Sequence, residues 1–120
     1  MIQKLEITGV HADVDEKLRG YVVKKLGRLD RYASRQVRKS LHLEIRLKES
    51  KTKTRKQFTC EAILHLPHEI LRVQETTLNL YAATDIVEEK LKTRLKKYKD
   101  LHGNVHIHRR IVRHLRGHAD

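Results

Sequence analysis

Residues 41–48 alternate without a break, Leu41, Leu43, Ile45 and Leu47 against His42, Glu44, Arg46 and Lys48. A period of two puts the aliphatic set on one side of a pleated strand and the polar set on the other. A chain built around such a strand needs a sheet with one covered face and one wet face, and a second layer to do the covering. Residues 2–8 alternate in the same way, with Leu5 and Ile7 opposed to Lys4, Glu6 and Thr8, and Gly9 closes that strand. A polar hairpin loop over 49–55 leads to a third strand carrying Phe58, Cys60, Ala62, Leu64 and Leu66 inward. Pro67-His68 then turns the chain into a fourth, from about Glu69 to Glu75.

Two segments change to a helical period. The first opens at Asp13 or Asp15, with capping-box spacing from Asp13 to Glu16, and runs to about Ala33. Leu18, Val22, Leu26, Leu29 and Tyr32 form its apolar stripe, with Lys25 at the edge. The second runs from about Leu78 to Leu101, with Leu80, Val87, Leu91, Leu95 and Tyr98 on one side. The order βαβββα predicts an α+β fold, a four-stranded sheet with both helices on one face, like a double-stranded-RNA-binding domain. Residues 1–101 make one domain, long enough for a single core, and 102–120 a basic His/Arg-rich tail.

Charge is distributed less evenly than apolar residues. The chain has 27 Lys+Arg against 15 Asp+Glu, a formal net charge of +12. Between Lys90 and Lys99 six residues are basic and none acidic. Lys92, Lys96 and Lys99 stack along one line of the helix, and Lys90, Arg94 and Lys97 along the next. Each like-charged i, i+4 pair costs a few tenths of a kcal/mol, a term that a polyanion against the helix would reverse. Lys17, Lys24, Arg28 and Arg31 form a second row on the first helix, and the hairpin from Arg46 to Lys56 adds six more cations. Acidic residues gather at the helix starts, as Asp13, Asp15 and Glu16 and again as Asp85, Glu88 and Glu89, which leaves the C-terminal halves positive.

The excess points to nucleic acid, and the sparse aromatics narrow it further. One Phe, four Tyr and no Trp leave no stacking platform on a strand, so structured RNA bound through phosphate and groove shape is expected over single strands. Gly20 and Gly27 lie close to the basic row of the first helix. They serve either as points of close RNA approach or as neutral positions in a helix held by its packing, the second being the better expectation.

The opening Ile7-Thr8-Gly9, with Val14 and Glu16, and the run from Tyr21 to Tyr32 resemble the ribosome hibernation-promoting factor and ribosome-associated inhibitor family. Leu80-Tyr81-Ala82-Ala83-Thr84-Asp85, Lys90-Leu91 and Lys97-Tyr98-Lys99 resemble that family's second helix. The resemblance covers residues 2–101 and implies a translation-silencing factor. Such a factor lodges on the 16S rRNA of the small ribosomal subunit near the decoding centre and blocks mRNA and A- and P-site tRNA. By position it implies phosphate contacts from Lys24, Lys25, Arg28, Arg31, Lys90, Lys97 and Lys99. Spacing alone adds Lys92, Arg94 and Lys96, and Arg109, Arg110, Arg113 and Arg116 of the tail are candidate contacts. The chain has Thr93 where the family usually has Arg, with Arg94 about 100° further round the helix. At 120 residues the second domain of long members is not expected, and the tail is basic where inhibitor-type members are acidic. A short-form hibernation factor is therefore expected, its effect on ribosome pairing left open.

No apolar run approaches the ~18–20 residues of a membrane span, the N-terminus does not read as a signal peptide, and Cys60 is the single cysteine. The expectation is a cytoplasmic, ribosome-associated protein, monomeric when free, with no cofactor and no small-molecule substrate. Catalysis finds no carboxylate pair, phosphate loop or nucleophile elbow, and His11, His42, His65 and His68 read as scattered. Cys60 reads as a buried structural thiol. His102 with His106, and His106 with His108, have metal-like spacing, but without a nearby Cys or acid only adventitious binding is expected. The alternative function is a general structured-RNA module or a ribosomal protein without inhibitory role.

Overall fold

The structure, a computed structural model, describes residues 1–103. Strands β1 (Lys4–Val10), β2 (His42–Lys51), β3 (Lys56–Leu66) and β4 (Glu69–Thr77) form one sheet in that spatial order. β1 runs parallel to β2, with Ile7 beside Ile45, and the two hairpins that follow are antiparallel. A parallel neighbour requires a crossover. Here the crossover contains helix α1 (Glu16–Gly27), a 3-10 turn (Arg28–Tyr32) and a one-turn helix α2 (Arg35–Arg38). Helix α3 (Leu80–Tyr98) follows β4 and runs into a π turn (Lys99–Gly103).

The α+β expectation holds, with the core between the sheet and the two long helices. Leu43, Ile45, Leu47, Cys60, Ala62 and Leu64 are buried from the sheet, and Leu18, Val22, Leu26, Leu29, Val87, Leu91 and Leu95 from the helix layer. Each buried Leu contributes about 1.5–3 kcal/mol relative to exposure. Burial also pushes the Cys60 thiol up to about 11, a small Thr84 hydrogen-bond effect opposing it, as suits a structural thiol.

Boundaries differ from the expectations in ways with local causes. Gly9 lies inside β1, where an added Cβ would sit 2.7 Å from the Ala12 carbonyl oxygen. The chain therefore needs glycine there to fold back over the strand end. Asp15 is the N-cap, its carboxylate accepting from the Leu18 N–H at 2.7 Å. The α-helix stops at Gly27 rather than near Ala33, because the next five residues tighten into the 3-10 turn. The N-terminus explains the stop. The Ile2 N–H donates to the Gly27 carbonyl at 2.8 Å, and the Met1 ammonium reaches Asp30 at 3.0 Å. At Pro67-His68 the hairpin is closed by His68 in the left-handed region, φ 71°.

Candidate nucleic-acid interface

α1 and α3 lie against each other along a seam that carries polar contacts. Asn79 caps α3, accepting from the Ala82 N–H at 2.7 Å. Along the seam Tyr21, Lys25 and Arg28 of the α1 side meet Asp85 and Glu88. The Tyr21 hydroxyl donates to Asp85 at 2.5 Å, Lys25 lies 3.5 Å from Asp85, and the Arg28 guanidinium lies 3.2 Å from Glu88. Tyr21 also packs edge-on against Tyr81, 4.9 Å between ring centres. The hydrogen bond to Asp85, with burial behind it, pushes the Tyr21 phenol up to about 12. Asp85 and Glu88 thus stand in the second and third turns of α3 and tie the helices together, instead of serving chiefly the helix dipole.

These pairs divide the ten predicted contact residues of the folded domain. Lys25 and Arg28 are engaged across the seam, Lys90 is bound to Glu75 at 2.5 Å, and Arg94 donates to the Arg72 carbonyl at 2.6 Å. Among the described residues Lys24, Arg31, Lys92, Lys96, Lys97 and Lys99 make no ion pair. The two rows on α3 also face different ways. Lys90, Arg94 and Lys97 line grooves against β4, whereas Lys92 and Lys96 lean toward the end of the first helical segment. Arg109, Arg110, Arg113 and Arg116 lie outside the described residues.

Tyr32 gathers three of these six. Lys92 and Lys96 each place an ammonium 5.4 Å from its ring centre, and the Arg31 guanidinium stands 5.3 Å away. A ring face attracts cations without neutralising them, so three cations converge with their charge available to a ligand. Sequence reasoning placed Tyr32 only in the apolar stripe; its half-buried ring does both jobs. The seam was legible in principle, since Lys25 and Arg28 share an i, i+3 spacing with Asp85 and Glu88. Within the protein neither helix glycine is required by a close contact. Gly20 faces open space, and a Cβ at Gly27 would meet Met1 and Leu5 at ordinary contact distances.

The described residues thus form a two-layer α+β domain, a solvent-facing sheet on one side and a helix layer on the other where Arg31, Lys92 and Lys96 cluster without an ion pair among the described residues. The sequence profile described as Sigma 54 modulation protein / S30EA ribosomal protein matches residues 5–102, and the chain belongs to this family. It is 31% identical over 96 residues to a protein named Ribosome hibernation promotion factor from Lactococcus lactis, covering 80% of this chain and 49% of that one. The chain thus spans about half the length of the curated relatives it matches. Its fold is similar to the N-terminal domain of Protein Y from Thermus thermophilus, TM-score 0.66 at 30% identity, covering 78% of this chain and 94% of that domain. It is also similar to a ribosomal subunit interface protein from Coxiella burnetii, TM-score 0.65 at 25% identity, covering 82% and 99%.

Proposed function

We propose that this chain is a non-enzymatic ribosome hibernation factor. It binds the 16S rRNA of the small subunit near the decoding centre and excludes mRNA and A- and P-site tRNA under stress or in stationary phase. Arg31, Lys92 and Lys96 carry this reading, gathered at one ring and unpaired within the described residues. The names of the curated relatives, ribosome hibernation promotion factors, support it from another side.

The physical mechanism is occupation rather than chemistry. Rigid helices hold the cations at fixed spacing, so folded RNA gains phosphate contacts and releases counterions while the chain loses little entropy. Lys24, Lys97 and Lys99 extend the contact, and Lys25, Arg28, Lys90 and Arg94 join where phosphate outcompetes their present partners. The tail arginines add further phosphate contacts. Placement in the cytoplasm, bound to ribosomes, follows from the same proposal; no helix among the described residues is long and apolar enough to cross a membrane.

The test is sedimentation of purified protein with small subunits, paired with tRNA binding. Co-sedimentation at low salt, release at elevated salt and loss of P-site tRNA binding are expected. Failure to co-sediment in dilute buffer, or unhindered tRNA binding beside bound protein, overturns the proposal.

A further inference from the structure

The wet face of the sheet holds a cluster that RNA binding by the helices does not use. His42 on β2 and His65 on β3 are direct cross-strand partners. Their rings stack 5.0 Å apart. Glu44 stands two residues from His42 on the same face, and Glu6 of β1 pairs with Glu44 in register. The ligand atoms of His42, Glu44 and His65 all fall within 4.8 Å of one another. The His42 Nε2 lies 3.6 Å from a Glu6 carboxylate oxygen, and the His65 Nε2 lies 3.7 Å from one of Glu44. Both Nε2 atoms are buried and lack a hydrogen-bond partner. Sequence reading scattered these histidines, and the strand register brings them together.

We propose that His42, His65 and Glu44, with Glu6 as a fourth donor, form a zinc(II) site on the sheet face remote from the basic helices. A buried imidazole nitrogen without a partner is costly, and a carboxylate just beyond hydrogen-bond reach does not relieve it. A tetrahedral zinc with Zn–N near 2.0–2.1 Å and Zn–O near 2.0–2.2 Å holds neighbouring nitrogen and oxygen ligands about 3.4 Å apart. The gaps of 3.6 and 3.7 Å lie close to that edge, the His42–Glu44–His65 set as a whole falls within 4.8 Å and closes by side-chain rotation, and the exposed Glu6 carboxylate turns in to join it. Two imidazoles with carboxylate oxygens suit zinc by ligand type, and two carboxylates neutralise its charge. Ile63, facing the same side and 2% exposed, pairs with Glu44 across the strands and supplies an apolar neighbour that limits water. Lys4 beside His42 and Arg72 opposite Ile63 are the cations nearest in register, and they set the limit on affinity. The ion would clip β1, β2 and β3 together.

The full chain, stripped with chelator and titrated with zinc chloride, tests this by thermal melting. At a free zinc concentration 100 times the Kd the melting temperature should rise on the order of 10 °C. The rise should persist in a His106→Gln/His108→Gln variant and vanish in His65→Gln and in Glu44→Gln. No rise in the wild type, or an equal rise in His65→Gln and Glu44→Gln, overturns the site. Nitrogen NMR of the wild-type histidines keeps the test independent of variant folding. The His42 and His65 Nε2 resonances should move by one equivalent of zinc, and movement confined to other histidines overturns the proposal.

Discussion

The two faces of this domain carry charge in opposite styles. On the open sheet, basic side chains sit among carboxylates: Arg46 and Lys48 share Glu61 at 3.4 and 3.7 Å, and the imidazoles of His42 and His65 face Glu6 and Glu44. On the helix layer, Lys92, Lys96 and Arg31 converge on Tyr32 and make no ion pair among the described residues. Cross-strand register accounts for the first pattern: Arg46 stands directly opposite Glu61, and the Lys48–Glu61, His42–Glu6 and His65–Glu44 contacts lie on diagonals two residues off. The second pattern costs folding energy, because like charges repel across the helix surface. A face that neutralises itself has little to offer a polyanion, and a face left unneutralised has much.

Reversal of charge should break this contrast most sharply. Lys92→Glu/Lys96→Glu/Lys99→Glu should weaken small-subunit binding by on the order of 10²–10³-fold and abolish inhibition of cell-free translation, with the circular dichroism spectrum unchanged. Arg46→Glu/Lys48→Glu on the sheet should change binding only a few-fold in the same assay. Equal losses from the two variants would show that net charge, not the helix face, is what RNA reads.

Glu88 sharpens the comparison from inside the helix layer. Buried at 9% exposure, it holds Arg28 and Lys25 in the seam. Glu88→Gln should destabilise the fold by about 1–2 kcal/mol in urea unfolding. It should also tighten RNA binding several-fold, because two cations lose their internal partner. Weaker binding instead would mean that the seam positions the contact residues and that Lys25 and Arg28 are not held in reserve.

Alkaline pH probes the helix seam and the core together. Cys60 rises to about 11 from 9.0 and Tyr21 to about 12 from 10.0, and burial also raises Tyr98. A raised value means that the unfolded chain loses the proton first, so stability is full below pH 9 and falls as pH climbs toward 12. Urea midpoints at pH 8 and pH 10.5 should show the drop, and Tyr21→Phe together with Cys60→Ala should flatten it. The smallest effect belongs to Gly20, which faces open space. Gly20→Ala should raise stability by about 1 kcal/mol and leave RNA binding unchanged, and a tenfold loss of binding would make the missing side chain a point of RNA approach.

Much of this architecture is visible in the residue order. The alternation at 41–48 and the stripe from Leu80 to Tyr98 each name their buried face correctly, because a period of two or of 3.6 leaves few other ways to bury those side chains. The end of α1 was not visible. The docking of Met1 and Ile2 on Gly27 and Asp30, a contact between the N-terminus and the end of the helix, decides it. The basic rows were visible as spacing, but their division was not: nothing local to Lys90 or Arg94 tells that β4 binds them while Lys92 and Lys96 stay unpaired.

Sequence alone therefore determined the four strands, the two long helices, their inward faces and the excess of positive charge, since periodicity and composition act within a few residues. Tertiary structure decided which cations meet a carboxylate, which gather around Tyr32, and that His42 and His65 share a site. The physical reason is range. Charge pairing and ligand geometry depend on distances of 3–5 Å between atoms far apart in the chain, and only the packed sheet and helices set those distances.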